Sequence, residues 1–176
     1  IKYGRRFIEY NFSTREIQDY GAFKSAVIDL FNELDINAKS NVFLTLPNVH
    51  FDFMNLPLIL PDDGINTAIS SKAEESYIFK RVEPISAWLD VNVNTNTETR
   101  HIIYSSFQKT AIDEIKDVFA DIGSNLVGIE SAYSAILRGI YFSNLCSQEI
   151  AENQSWNVLL INTNSYAIFS LVGTRL

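Results

Sequence analysis

The sequence predicts an α/β protein in which a split βαβ unit interrupts the segments of a second α/β fold. From Val49 to Ile129, hydrophobic periodicity gives the order strand, helix, strand, strand, helix, strand. That order is the ferredoxin-like one. The elements on either side are too few to form a domain alone, so they are predicted to belong to one fold that the middle unit interrupts.

Length, composition and charge exclude several classes of protein. The chain has 176 residues, of which 47% are hydrophobic and 20% charged, as in a globular protein and unlike a disordered one. The formal net charge of -7 argues against nucleic acid as a partner, because neutralising phosphates requires a basic face. No apolar run approaches the ~20 residues of a membrane-spanning helix. Cys146 is the only cysteine, which excludes an internal disulfide and a cluster of zinc-binding thiolates.

The elements before the middle unit are predicted to be a strand, a helix and a second strand. Alternation predicts a strand at Arg6–Phe12, and Val42–Leu46 is a short apolar run that Pro47 ends. The helix is predicted at Ala22–Asp35, where five apolar residues form one stripe. The stripe consists of Phe23, Val27, Leu30, Phe31 and Leu34.

The middle unit contains two amphipathic helices and four strand patterns. Asp62 opens the first helix, and the second is predicted at Thr110–Ile122 with Gly123 after its end. The strands are predicted at Val49–Phe53, Ser86–Val93, His101–Phe107 and Leu126–Ile129. Because both helices would cover the same side of the sheet, one face of the sheet is expected to stay free.

A helix and a hairpin follow the middle unit. The helix is predicted at Ser131–Phe142. The hairpin has strands at Val158–Ile161 and Tyr166–Val172, joined by the polar turn Asn162-Thr163-Asn164-Ser165.

Four stretches of the sequence carry a resemblance to a known family. They are "KSNVFLTLPNVHF" (39–51), "LPLILPDDGINTAISSKAEESYIF" (56–79), "IIYSSFQKTAIDEIKDVFADIGSNLVGIESAYSAILRGI" (102–140) and the hairpin at 158–176. In order and hydrophobic pattern they resemble the actin-like proteins of bacterial envelope machines. The closest class is PilM, the cytoplasmic assembly protein of type IV pili, and FtsA of cell division is a more distant relative.

The resemblance implies a partial actin-like (RNase H-like) fold with an inserted ferredoxin-like βαββαβ subdomain. Residues 1–48 would begin the actin-like subdomain, 49–130 would be the insertion, and 131–176 would return to the fold and start its second half. The family binds ATP in a cleft and recruits the cytoplasmic tail of a bitopic inner-membrane protein near the junction with the insertion. Its first phosphate hairpin would precede residue 1 and its adenosine motif would follow residue 176, so the chain is expected to be a fragment.

The turn Asn162–Ser165 falls where the family has its second phosphate-binding hairpin, of the type D-I-G-x-x-x-T. Asn162 stands where the family has Asp, which as an anion would hold Mg²⁺ and its waters. Asn164 stands where the family has Gly, which lets backbone N–H groups approach a phosphate closely. The turn is therefore interpreted as a plain polar turn, a working phosphate loop, or a degenerate loop that holds ATP/Mg weakly or not at all.

No catalytic or metal-binding set is predicted. The only histidines, His50 and His101, lie about 50 residues apart with no carboxylate or cysteine at ligand spacing. The aromatic residues Tyr77, Phe79 and Trp88 are interpreted as core, with part of a peptide-binding groove as the alternative.

The function expected from the sequence is that of a cytoplasmic assembly scaffold. It would lie at the inner membrane through a bound partner tail, with a degenerate nucleotide site and no catalysis in this segment. An active ATPase of the same fold and a stand-alone protein-interaction module are the two alternatives. Assembly into a homo-oligomer is left open.

Overall fold

The structure, a computed structural model, describes residues 2–47, 49–142, 155–161 and 166–172. Within them the chain forms four α-helices and nine β-strands. In chain order these are β1 (Tyr10–Asn11), β2 (Glu16–Ile17), α1 (Tyr20–Leu34), β3 (Asn41–Leu46), β4 (His50–Pro57), α2 (Asp62–Glu74), β5 (Pro84–Asn94), β6 (Thr99–Gln108), α3 (Lys109–Ile122), β7 (Asn125–Ser131), α4 (Ala132–Phe142), β8 (Ser155–Ile161) and β9 (Tyr166–Val172). The prediction of an α/β protein is confirmed.

A three-stranded antiparallel sheet in the order β4-β6-β5 forms the middle of the structure. Helix α2 covers one face of this sheet, because Ile65 and Ile69 are fully buried against the strands. The strand residues in this core alternate with residues on the opposite face, as the period of two requires. They are Leu56, Ile102 and Tyr104, with Met54 and Trp88 packed at the margin.

A second core lies around a parallel pair of strands, β3 and β7, and the two helices α1 and α3. The rings of Phe23 on α1 and Phe119 on α3 meet edge to face at 6.1 Å. Lys24 also donates to Asp121 across the same helix pair, with 2.8 Å between Nζ and Oδ2. The other fully or nearly buried members of this core are Ile17, Leu46, Val49, Ile112, Ile115 and Val118.

The predicted ferredoxin-like βαββαβ sheet is wrong in its last strand. The prediction placed the strand at Leu126–Ile129 beside the strands of the middle unit. In the structure, β7 pairs in parallel with β3, with Leu44 opposite Ile129, and the middle sheet has three strands.

The physical reason for this pairing is the burial of helix α3 against α1 rather than on the three-stranded sheet. Gly123 ends α3 in the left-handed conformation, with φ of 81°, and turns the chain back along β3. Hydrogen bonds then fix the register, because the N–H of Asn125 donates to the carbonyl of Ser40 at 3.2 Å. The hydroxyl of Ser124 donates to the carbonyl of Ala38 at 2.6 Å.

The predicted helices and most predicted strands are confirmed, with ends that shift by at most four residues. The strand predicted at Arg6–Phe12 is wrong over most of its length, since only Tyr10–Asn11 forms a strand. Arg6, in the segment before Tyr10, instead forms an ion pair with Glu33 of helix α1 at 2.5 Å. The division of the chain at residues 48/49 and 130/131 stays a prediction.

Substitution by alanine at two unhindered glycines, Gly123 and Gly139, is expected to have opposite effects on stability. At Gly123 a methyl group would meet no atom within 4 Å, so Gly123→Ala changes only the cost of the positive φ. We expect a loss of about 1–2 kcal/mol in the free energy of unfolding. At Gly139 in α4 a methyl group is equally unhindered, and Gly139→Ala is expected to gain about 0.5–1 kcal/mol in helix propensity.

Urea denaturation of the two variants and the unchanged protein measures both effects under one set of conditions. Each variant serves as the control of the other, because the atoms added are the same. A stability of Gly123→Ala equal to or above that of the unchanged protein would contradict the left-handed helix end.

Candidate functional site

The face of the three-stranded sheet opposite α2, named here the open face, is apolar and largely exposed. Phe53 is 73% exposed, Leu89 is 58% exposed and Ile85 is 39% exposed. These residues lie on the open face because they alternate with the buried residues that face α2. The sequence thus gives the sheet two apolar faces, and exposed apolar patches are frequent at protein interaction sites.

Helix α4 and the end of β7 turn one part of the open face into a groove of about 340 Å³. The rings of Tyr133 on α4 and Phe51 on β4 join the two sides, with centroids 5.7 Å apart. The sheet contributes Phe51, Ala87, Leu89, Ile103, Ser105 and Phe107 to the lining. The end of β7 and helix α4 contribute Ile129, Glu130, Ser131, Ser134, Leu137 and Arg138.

The start of α4 is fixed by a serine cap. Ser131 is 1% exposed, and its hydroxyl oxygen accepts a hydrogen bond from the backbone N–H of Ser134 at 2.9 Å. The two hydroxyls also bond to each other at 2.7 Å. A serine in this position satisfies a backbone donor that the first turn of a helix leaves unpaired. The cap sets the direction in which α4 leaves β7, and therefore the width of the groove.

One ion pair lies in the lining of the groove, between Glu130 at the end of β7 and Arg138 on α4. The two terminal nitrogens of Arg138 donate to the two carboxylate oxygens of Glu130 at 2.8 and 2.6 Å. The Glu130 side chain is 14% exposed, whereas that of Arg138 is 51% exposed. The guanidinium also lies over the ring of Phe43, 5.7 Å from its centroid. A bidentate pair of this geometry holds both side chains in one orientation.

The groove has the lining and the size of a binding pocket. Its lining is mostly apolar with a few polar groups, and its volume falls in the range of binding pockets. Within the described ranges, no group of three or more His, Cys, Asp or Glu side chains is arranged to hold a metal ion. None of the helices in the described part of the chain is long and apolar enough to cross a membrane.

The predicted phosphate-loop residues Asn162, Thr163, Asn164 and Ser165 lie outside the described residues. The strands on either side of them form the predicted antiparallel hairpin, with Ile161 opposite Tyr166. The hairpin is therefore confirmed, and a role in binding a nucleotide stays a prediction.

The two histidines lie on opposite faces of the three-stranded sheet. His50 packs against the rings of Phe79 and Tyr104, each with its centroid 5.8 Å away. His101 is hydrogen-bonded to Asn55, its partner on β4 and its neighbour on the same face.

The structure separates the aromatic residues Tyr77, Phe79 and Trp88. Phe79 is buried, Tyr77 is exposed, and Trp88 packs against the core on the α2 side. The indole N–H of Trp88 donates to Asn66 on α2 at 2.9 Å. The interpretation as core therefore holds for Phe79 and mostly for Trp88, whereas Tyr77 lies on the surface.

The sequence predicted a free sheet face but not the residues of the groove. Glu130 and Arg138 are eight positions apart, on a strand and a helix, and nothing in the sequence indicates that they meet. The available signal was the apolar alternation on both sides of β5 and β6, which predicts more apolar sheet surface than one helix can cover.

Comparisons with known proteins place this fold among solved structures. No family model matches the chain, and no curated protein matches it. The fold is PilM-like. A chain of the solved "PilM-PilN type IV pilus biogenesis complex" is similar to 92% of this chain, with a TM-score of 0.73 and 17% sequence identity. This chain spans 48% of the length of that chain, and at such identity the similarity establishes the fold alone.

The surroundings of His50 predict a pH dependence of stability. Burial lowers the pKa of His50, and the Arg15 guanidinium lowers it further, while Asp52 raises it and Lys72 lowers it by smaller amounts. The unfolded state, with a pKa of about 6.5, then binds more protons than the folded state just below that pH. The free energy of unfolding is therefore expected to fall as the pH drops through about 6.5, by at most about 1.4 kcal/mol per pH unit.

Denaturation curves between about pH 7.5 and about pH 5.5 test this, and His50→Gln should show a shallower fall than the unchanged protein. The matched control is His101→Gln, which keeps His50 and should keep the dependence that His50 supplies. If the free energy of unfolding falls equally with pH in His50→Gln and in the unchanged protein, His50 has the same pKa in the folded and unfolded states, and the prediction is wrong.

Proposed function

We propose that this chain is part of a PilM-like cytoplasmic scaffold of a type IV pilus or secretion assembly. Its groove would bind the cytoplasmic tail of a bitopic inner-membrane protein and so hold the scaffold at that membrane. The observation that carries the proposal is the groove between the open face and α4, which combines exposed apolar surface with a fixed polar pair.

The shape and chemistry of the groove favour a peptide segment as the occupant. The exposed side chains of Phe53 and Leu89 lie on either side of the half-buried Ile103, so these three residues form an apolar row across the three strands. A short tail can bury several apolar side chains on such a surface, and each fully buried Leu or Phe contributes roughly 1.5–3 kcal/mol. The polar pair at one side would then fix the position of the tail along the groove.

Charge supports the choice of a membrane-protein tail over other peptides. The cytoplasmic flanks of membrane-spanning helices carry an excess of Lys and Arg. This chain has a formal net charge of -7, so its field would attract a basic tail and speed the encounter.

The structural comparison supports the same class of partner. The solved complex with the similar chain is named for PilM and PilN, and we infer by analogy that a PilN-type protein is the partner of this chain. The analogy rests on fold, so the groove chemistry and the tests below carry the functional argument.

The division of the chain and its nucleotide site are part of the same proposal. We infer an actin-like segment at 1–48, an insertion at 49–130 and a return at 131–176, with α3 and β7 packed on the core of the first segment. The turn Asn162–Ser165 would be a degenerate phosphate loop, given its neutral residues at the positions of Asp and Gly. Calorimetry of the full-length protein with Mg-ATP tests this, and tight binding would contradict it.

Replacing a groove residue by a charged one is expected to weaken binding of a PilN-type tail. Leu89→Lys places a cation on the apolar lining, where it would be desolvated by the tail and repelled by its basic residues. We expect the affinity to fall by roughly tenfold or more. The measurement is isothermal titration of the protein with a synthetic peptide of a PilN cytoplasmic tail.

Ile59→Lys is the matched control, because Ile59 is 92% exposed, lies outside the groove and undergoes the same change in charge. Its affinity for the peptide is expected to be close to that of the unchanged protein. If both variants bind the peptide as the unchanged protein does, the groove is not the binding site.

Charge attraction predicts that binding weakens with salt. Raising the ionic strength from about 0.1 M to about 1 M shortens the Debye length from ~10 Å to ~3 Å and screens the negative field of the chain. The association rate in stopped-flow measurements should fall, and a peptide with Lys and Arg replaced by Glu should associate more slowly at low salt. Faster association of the acidic peptide would contradict a basic partner.

A further inference from the structure

We infer that Arg138 is the specificity-determining polar contact of the groove and donates hydrogen bonds to main-chain carbonyl oxygens of the bound segment. Glu130 and Phe43 act as positioning residues that hold the Arg138 guanidinium at the groove wall. This inference rests on the proposed function, because it assigns a role within the same groove.

The first argument is that two residues determine the orientation of Arg138. Glu130 accepts from both terminal nitrogens, at 2.8 and 2.6 Å, and the guanidinium carbon lies over the ring of Phe43, 5.7 Å from its centroid. The Phe43 ring can lie there because its neighbour on β7 is Gly128, where a methyl group would come within 2.6 Å of the ring. Because residue 128 is glycine, there is room for the Phe43 ring over which the Arg138 guanidinium lies.

The second argument is that, among the residues the structure describes, Arg138 keeps unused donors. A guanidinium has five N–H groups, and the bidentate contact with Glu130 uses one on each terminal nitrogen. Three N–H groups therefore remain as hydrogen-bond donors. With half of its side chain exposed at the groove, Arg138 can present them to an occupant.

The third argument concerns the class of acceptor. Glu130 is close enough to cancel the charge of Arg138, so the pair offers hydrogen-bond donors without a net positive field. A carboxylate on the occupant would be repelled by Glu130 about as much as it is attracted by Arg138. A carbonyl oxygen avoids that repulsion, and the rest of the described lining carries no charged side chain. The pair is thus suited to the main chain of an extended segment.

Arg138→Lys tests the contact while keeping the charge. Lysine is a point charge and cannot reproduce the planar pair of bonds to Glu130 with further donors at fixed angles. With the synthetic PilN-tail peptide as probe, we expect the affinity to fall roughly 10- to 100-fold. Urea denaturation of the same variant checks that the fold is retained, which the exposure of Arg138 favours.

Glu130→Gln tests the positioning role by the sign of its effect. If Glu130 holds Arg138 for a neutral acceptor, the variant should bind the peptide more weakly. The double variant with Arg138→Lys should then bind no more weakly than Arg138→Lys alone, because both changes remove the same contact. If the acceptor were a carboxylate, removing the competing anion would tighten binding, and that result overturns the inference.

Leu89→Lys distinguishes failure of this inference from failure of the proposed function. Loss of binding in Leu89→Lys, with unchanged affinity in Arg138→Lys, would keep the groove and overturn the role of Arg138. Unchanged affinity in Leu89→Lys would remove the groove as the binding site and the inference with it. Loss in both variants, together with the effect of Glu130→Gln, supports the assignment.

Discussion

The parallel pairing of β3 with β7 is the constraint on which the rest of the structure depends. It brings residues 41–46 and 125–131 side by side although the whole three-stranded sheet lies between them in the sequence. A parallel pair requires a long connection, because the chain must return to the same end before the second strand begins. Here the connection contains β4, α2, β5, β6 and α3, so the middle sheet belongs to the segment that connects β3 to β7.

The packing of α3 against α1 makes that return possible. The buried stripe of α3 lies in one core with Phe23 and the inner side of the strand pair, and Phe107 at the end of β6 packs against the same core. A ferredoxin-like fold would place α3 on the sheet beside α2, whereas here α3 packs in the core with α1. On the face opposite α2, the apolar residues of the strands are exposed. Local pattern and global packing disagree at this surface, which is where a functional site is expected.

The sequence predicted local features well because they depend on neighbouring residues. The stripe of α3, the left-handed end at Gly123 and the hairpin of β5 and β6 follow from periodicity and turn chemistry, and the structure has them. The partner of β7 was not predictable, since an apolar run of that length suits either sheet and the choice depends on where α3 is buried. For the same reason the sequence predicted a free face but could not identify Glu130 and Arg138 as neighbours.

The groove and the hairpin turn carry different kinds of argument about function. At the turn, the argument comes from residues that a family pattern would require and this chain lacks, an Asp and a Gly. At the groove, it comes from side chains whose positions are determined by several contacts. The cap at Ser131 sets the direction of α4, and the small residue at 128 admits the ring that supports Arg138. An isolated surface ion pair contributes little to stability, so stability alone does not account for a pair held by so many contacts. Its position in the lining of an apolar groove supports the proposed role in recognition, since a few fixed polar groups determine which segment an apolar surface accepts.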